Sequence, residues 1–336
     1  MRAGVQTGRL DGRSVAVAVG ECGGTTGAFS DAAYFPCAAK MPMMDPADQM
    51  RALRTGCGVL APSRGFVTVE GPDAEALLQN LLTQDLADMA EGEARRALLL
   101  TPKARIVADV RVLRTGTGFL LETADAEALA ALLLRYRLAS KAEIAATGHW
   151  SLISLIGPGA PGIELPGLRL ETTLGALPRV DVVVPTIGLM GSLSAAERAG
   201  AVPVEAAAVE ALRVEAGELD ADERWMPAEA GLVDLAVSFE KGCFIGQEPV
   251  TRLHRRGHAN RTPRRLSADG PLAPGAAMTQ DGKEVGVVLA AADPPWLDAH
   301  RAIGIVRVDA EGPLAVSGPE RADIRVVSEQ IGRAHV

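Results

Sequence analysis

From Gly65 onward the chain alternates short strand patterns with short amphipathic helices, and after Arg265 the helical patterns stop. That switch points to an α+β body followed by a small all-β domain. Phe66-Val67-Thr68-Val69-Glu70 reads as a strand, and Gly71-Pro72 turns into a helix capped by Asp73, with Leu77, Leu78, Leu81 and Leu82 as its buried stripe. Arg96 to Leu100 and Arg105 to Arg114 form a hairpin around Thr101-Pro102-Lys103-Ala104. On its second strand Ile106, Ala108, Val110 and Val112 share one face, and Asp109 lies on the other with Val107. Phe119 to Glu122 is a further strand, and Asp125 caps a helix through Leu129, Leu132, Leu133 and Tyr136.

Trp150 to Ile156, Val180 to Pro185 and a helix from Ser192 to Ala199 suggest a small α+β module in the middle of the chain. Gly157-Pro158-Gly159-Ala160-Pro161-Gly162 satisfies a dinucleotide-site spacing, but the prolines keep it from leading into a helix whose N-terminus would meet a pyrophosphate. It is read as a turn. Pro203 opens a helix that runs to Ala216 and stops at Gly217. Beyond Arg265, short strands and turns, including an Asp281-Gly282 hairpin signal, predict a small β-barrel. Met1 to about Met44 has no sustained period; little packed structure is expected there, and Met41, Met43 and Met44 mark where an over-called start would end.

Apolar residues make up 48% of 336, enough for a substantial core, so disorder throughout is excluded. The net charge of −8 and an aromatic content of 3% argue against nucleic acid, which needs cations and stacking rings. No apolar run is long enough to cross a bilayer. Cys22, Cys37, Cys57 and Cys243 are scattered, with no C-x-x-C pair, so a disulfide framework and a zinc ribbon are not indicated and a cytoplasmic protein is expected.

Three places carry chemistry. In Ser238-Phe239-Glu240-Lys241-Gly242-Cys243-Phe244-Ile245-Gly246-Gln247-Glu248, two glycines flank a thiol, and Lys241 together with a following helix start would favour the thiolate. The alternative is a buried, inert cysteine in a turn. Downstream, Arg252, His254, Arg255, Arg256, His258, Arg261, Arg264 and Arg265 form the densest basic run, either a solvated face or a site for a discrete anion. A metal at Cys243, His254 and His258 is disfavoured by the surrounding arginines, and no metal site is assigned. Asp109 is an acid in mid-strand, read either as a surface residue paired with Arg111 or Arg105 or as a functional group. Glu215 lies in the last turn of its helix, where the macrodipole disfavours a carboxylate; it needs a partner or a function unless it is a solvated helix end.

The string Lys-Gly-Cys-Phe-Ile-Gly-Gln-Glu resembles the signature of the YgfZ-type folate-binding proteins, relatives of the glycine-cleavage T-protein that serve iron–sulfur enzyme maturation. The likeness extends through Gly71-Pro72-Asp73-Ala74, Leu98-Leu99-Leu100-Thr101-Pro102, Leu212-Arg213-Val214-Glu215-Ala216-Gly217, Pro227-Ala228-Glu229-Ala230-Gly231 and Lys283-Glu284-Val285-Gly286. It departs at Phe244, where the family commonly has tyrosine, at Pro249, and at Lys103-Ala104, which replaces a usual glycine. The resemblance implies an α+β, three-lobed GcvT-like fold with a ferredoxin-like middle lobe and a C-terminal β-barrel. Its lobes would be residues 45–145 with 201–260, then 146–200, then 261–336, after an extension over 1–44. It further implies tetrahydrofolate, or a one-carbon derivative, in a central hole.

By position, Asp109 would act near the folate's reactive nitrogens and Glu215 would grip the pterin, with Arg213, Glu229, Lys241, Gly242, Gly246, Gln247, Glu248 and Arg252 as further binding residues and Cys243 as the reactive thiol. The arginine run offers counter-charge for the glutamate tail. Iron–sulfur clients or assembly proteins would be the partners of a monomer, with one-carbon or thiol transfer as the activity left open. An aminomethyltransferase or demethylase of the same fold, and a folate-independent docking scaffold, are the alternatives.

Overall fold

The computed structural model describes residues 7–10, 13–16, 44–138, 140–218, 224–256, 259–293, 300–317 and 323–330. The chain falls into two units, Met1–Met43 and Met44–Val336. In the first, β1 (Thr7–Leu10) pairs antiparallel with β2 (Arg13–Ala16); the remainder of the extension expected over 1–44, with its methionines up to Met43, lies outside the described residues.

The second unit opens with α1 (Pro46–Thr55), whose N-cap Asp45 accepts a hydrogen bond from the Ala47 amide. Then follow β3 (Gly58–Leu60), β4 (Gly65–Glu70), α2 (Ala74–Leu81), β5 (Ala94–Leu100), β6 (Ile106–Thr115) and β7 (Gly118–Thr123). Asp73 does not cap α2 with its side chain: the carboxylate instead accepts from the Lys141 amide at 2.6 Å. Asp125 does cap α3 (Ala126–Arg137), accepting from Ala128. Next come β8 (Glu143–Thr147), β9 (Trp150–Ile156), β10 (Leu168–Leu174), β11 (Leu177–Pro185), α4 (Leu189–Arg198) and β12 (Val202–Pro203). The glycine-rich segment after β9 forms a 3-10 turn at Ala160–Gly162 and leads to β10, not to a helix.

Pro203 is therefore in a two-residue strand, and the helix expected from it begins later, as α5 (Ala206–Ala216), ending at Gly217 with φ of 79°. That left-handed C-cap is why glycine sits there. The rest is α6 (Val233–Ala236), α7 (Gln247–Arg255) and the strands β13 (Arg261–Ala268), β14 (Ala277–Gln280), β15 (Lys283–Ala292), β16 (His300–Arg307), β17 (Leu314–Ser317) and β18 (Asp323–Gln330).

The strands of this unit make three assemblies. One sheet has the order β5-β6-β7-β4-β8, a second β10-β11-β9-β3-β12, and β13-β16-β15-β14-β17-β18 closes into a barrel. Closure removes the exposed edges that six short strands would otherwise present. Asp281 and Gly282, both at positive φ, make the tight turn between β14 and β15.

The first sheet positions the site. One of its faces buries Val67, Leu99, Val110 and Leu121 under Leu77, Leu78 and Leu81 of α2 and Leu129 and Leu133 of α3. On the opposite face Phe66, Leu113 and Leu120 pack against Leu152, Leu170 and Val183 of the second sheet. At the other end of that same face Leu98, Leu100 and Ile106 pack with Trp225, Phe244 and Ile305. Ile106 reaches this patch through a local change of phase: β6 carries a bulge at Val107, with Leu99 opposite Ala108 but Leu100 opposite Ile106. The bulge puts Ile106 on the face of Asp109 and not, as the plain alternation predicts, on that of Ala108.

Candidate functional site

Between those two apolar patches the first sheet carries a row of charge. Register sets Arg96 opposite Arg111 and Arg111 opposite Glu122, on neighbouring strands β5, β6 and β7, with Asp109 one step along the same face. Arg111 is bonded to Glu122 and reaches across to Asp181 of the second sheet at 2.6 Å. Glu122 also pairs with Arg64, and Asp181 with Arg179 at 2.9 Å and with the Ser154 hydroxyl at 2.6 Å. Glu122 and Asp181 are almost wholly buried, with side-chain exposures of 4% and 1%. Burial alone would push Asp181 up, but the Arg179 and Arg111 guanidinium groups and the Ser154 bond outweigh it and hold the carboxyl below its ordinary value. No local sequence pattern points to this cluster.

Asp109 joins the row through Arg96, whose Nε and Nη2 bond its two oxygens, the former at 3.0 Å. Its partner is therefore neither Arg111 nor Arg105. Arg105 serves Glu229 at 2.9 Å and the Arg224 carbonyl at 2.7 Å, and Glu229 also accepts from the Met226 amide. Glu215, at the end of α5, is paired with Arg54 of α1: one nitrogen, Nη2, sits 2.7 and 2.6 Å from its two oxygens. Arg213 binds Glu210 and donates to the Glu218 carbonyl at 2.6 Å, closing its own helix end.

The cysteine loop is anchored on both sides of its thiol. Phe244 is 6% exposed and enters the cluster with Leu98, Ile106 and Ile305, whereas Ile245 packs against the opposite face of the sheet, with Leu99 and Val110. Gly246 has φ of 81°, and a Cβ there would lie 2.6 Å from the Thr101 carbonyl oxygen. Only glycine fits where α7 starts against the β5–β6 turn. In that turn Ala104 itself takes φ of 59°, the left-handed conformation that the missing glycine would adopt without strain. Cys243 is exposed, not buried, and Gly242 beside it faces open space.

Lys241 points the other way. Its ammonium donates to the carbonyls of Gln79, Leu82 and Gln84 at 2.6, 2.6 and 3.0 Å. Gln247, Glu248, Thr251, Arg252 and Arg255 line an open depression of about 440 Å3 on α7. His254 stacks on Phe239 with ring centroids 4.1 Å apart, while His258 lies outside the described residues.

The structure thus brings three elements to one place. The strand bearing Asp109 and the loop bearing Cys243 share the cluster that includes Ile305 and Val287 of the barrel, and α5, which carries Glu215 in its last turn, packs on the same strands, β15 and β16. The side chains themselves have separate partners: Arg96 for Asp109, Arg54 for Glu215 and solvent for Cys243.

Among the described residues no helix is long and apolar enough to cross a membrane. Residues 14–165 match the model of the GCVT N-terminal domain family. An aminomethyltransferase from Rubrobacter xylanophilus is 31% identical over 306 residues, 80% of this chain and 81% of the relative. The tRNA-modifying protein YgfZ of Escherichia coli is 29% identical over 261 residues, 67% of this chain and 78% of that protein. The crystal structure of glycine cleavage system aminomethyltransferase T from Bartonella henselae superposes with a TM-score of 0.73 at 23% identity, covering 85% of this chain and 89% of that one, and shows the same fold. Both kinds of relative match, so the resemblance read from the cysteine loop holds at the level of the family and not of its YgfZ branch. With the α+β body and closed six-stranded barrel in place, the chain belongs to the GCVT aminomethyltransferase family.

Proposed function

We propose that this protein binds tetrahydrofolate, or a one-carbon derivative of it, at the junction of the first sheet, α5 and the barrel, and that Cys243 there assists assembly or repair of iron–sulfur enzymes. The observation that carries the reading is the presentation of Cys243: an exposed thiol held between a buried lysine and a buried phenylalanine. In this reading residues 45–145 with 201–260 form the folate lobe, 146–200 the middle lobe and 261–336 the barrel lobe.

The donor set fits the folate. Because a single nitrogen of Arg54 straddles both oxygens of Glu215, each oxygen keeps a lone pair for the adjacent N–H donors of an amino-pyrimidinone edge. Arg252 and Arg255, exposed on α7, offer counter-charge to the carboxylates of the tail. Tetrahydrofolate supplies a one-carbon carrier when bound. This chain's contribution is to orient it with Glu215 and hold charge near it with Asp109. Since both Asp109 oxygens are already bonded to Arg96, the aspartate is better suited to fixing charge than to exchanging a proton with a folate nitrogen. That favours a maturation role over aminomethyl transfer.

Calorimetry with tetrahydrofolate tests the ligand. Glu215→Gln is expected to weaken binding by about 1.5–3 kcal/mol, the size of a charge-assisted hydrogen bond. Its melting temperature should barely move, because the Arg54 pair is partly exposed. An unchanged affinity removes Glu215 from the site, and no binding at high micromolar ligand favours a folate-independent scaffold. The aminomethyltransferase relative supports a second reading, transfer or demethylation. Incubation with glycine-cleavage partner proteins or methylated amines, followed by assay of methylene-folate, separates the two: product formation would overturn the maturation role.

A further inference from the structure

Lys241 is a buried titratable group that the proposed function leaves unused. Its position in the motif suggests a ligand contact, but its three donors are consumed inside the protein. The last carbonyls of a helix lack intrahelical partners, and those of α2 are no exception: the Thr83 amide, which would otherwise bond Gln79, bonds the Leu98 carbonyl instead. The carbonyls of Gln79, Leu82 and Gln84 converge on one point, and a compact ammonium with three N–H groups fills it. A cation at a helix C-terminus is also favoured by the macrodipole. The Lys241 side chain is reached from far along the chain, and its ammonium lies 5.5 Å from the centre of the Phe244 ring.

We propose that Lys241 is a positioning residue for Cys243: by gripping the end of α2 it pins the backbone just before the thiol, while Phe244 and Ile245 pin it just after, so that Gly242 and Cys243 form a short rigid arch in solvent. The segment is stitched to the same place a second time by Thr83, whose hydroxyl donates to the Ala236 carbonyl at 2.5 Å and whose carbonyl accepts from the Ser238 amide at 2.9 Å. A thiol on such an arch meets a client at a defined position without a search by a mobile loop, which is where proximity effects originate. The use made of the thiol rests on the proposed function; the strap itself does not.

Hydrogen exchange read by mass spectrometry tests the strap without folate or client. In Lys241→Met, which keeps the unbranched apolar stem but has no donor, amides of residues 238–246 should exchange at least about tenfold faster. Those of β16 should be unchanged. Wild-type protein gives a second readout that needs no variant: its amides of 238–246 should exchange far more slowly than those of an unstructured chain.

Unprotected wild-type amides over 238–246, or a Lys241→Met loop that exchanges as slowly as the wild-type loop, overturns the proposal. So does a Lys241→Met protein whose loop stays protected but which no longer binds tetrahydrofolate in calorimetry, since Lys241 would then be a ligand contact. If wild-type protein fails to bind tetrahydrofolate while both exchange results hold, the folate reading falls and the strap stands.

Discussion

Replacing Arg111 with alanine lowers stability by about 3–5 kcal/mol, the range found when one partner of a buried ion pair is removed. The size follows from what is left behind. Glu122 and Asp181 have side-chain exposures of 4% and 1%, and Arg111 is the group that bonds both, one in its own sheet and one in the sheet opposite. Arg64 and Arg179 remain, yet each serves a single carboxylate of the pair. Arg111→Lys should fall between the two proteins, because one ammonium cannot present the two parallel donors that a guanidinium directs at separate acceptors.

The loss should also depend on pH, with a definite sign. Asp181 is held below its ordinary value in the folded chain, so its contribution is present at neutral pH and disappears as the pH falls through the carboxylate range. Chemical denaturation of wild type and Arg111→Ala at neutral pH and at a pH well below the ordinary 3.8 of the group gives the measurement; the gap between them should narrow in acid. Arg51→Ala is the control. Its pair with Asp48 is 69% and 47% exposed, and its removal should change stability by less than about 0.5 kcal/mol. If Arg111→Ala behaved like Arg51→Ala, the two sheets would not depend on the charged row between them.

Under the proposed function, Cys243→Ala is expected to leave the fold and tetrahydrofolate affinity unaltered, and to return iron–sulfur enzyme activity to the level of a strain lacking the gene. The side chain is exposed and fills no core position, so stability should change by no more than about 0.5 kcal/mol. Cys243→Ser sharpens the result: serine keeps the shape and the hydrogen bonding but is a far weaker nucleophile than a thiolate. Rescue by serine with failure of alanine would make the group a hydrogen-bonding one. Full rescue by both would reduce Cys243 to a bystander. Melting curves and calorimetry on the same proteins ensure that a negative growth result reflects chemistry and not loss of the protein.

What is legible in the sequence is local. The Gly217 helix stop, the Asp125 cap and the Asp281-Gly282 turn each depend on a few neighbouring residues, and each is found as expected. The barrel strands announce themselves because their turns interrupt an otherwise regular alternation. Partners are a different matter. The position of Glu215 at a helix end calls for one, but Arg54 is 161 positions away, and Arg111 and Asp181 are 70 apart. Such pairs exist only once register and sheet packing are set. The bulge at Val107 changes which residues accompany Asp109, and no side-chain pattern marks a bulge of that kind. Lys241 reads as a ligand contact because its true acceptors are carbonyls of the main chain, which every residue has and no sequence distinguishes.

The short strand β12 carries one more implication. It pairs in parallel with β3 at Val202↔Gly58 and Pro203↔Val59, and it is the outermost strand of the second sheet. During synthesis, therefore, the backbone at Gly58–Leu60 waits for more than a hundred further residues to leave the ribosome before its outer edge is covered. Nascent chains arrested short of Val202 expose that edge, and they, not the finished protein, are the species on which chaperones or aggregation would act.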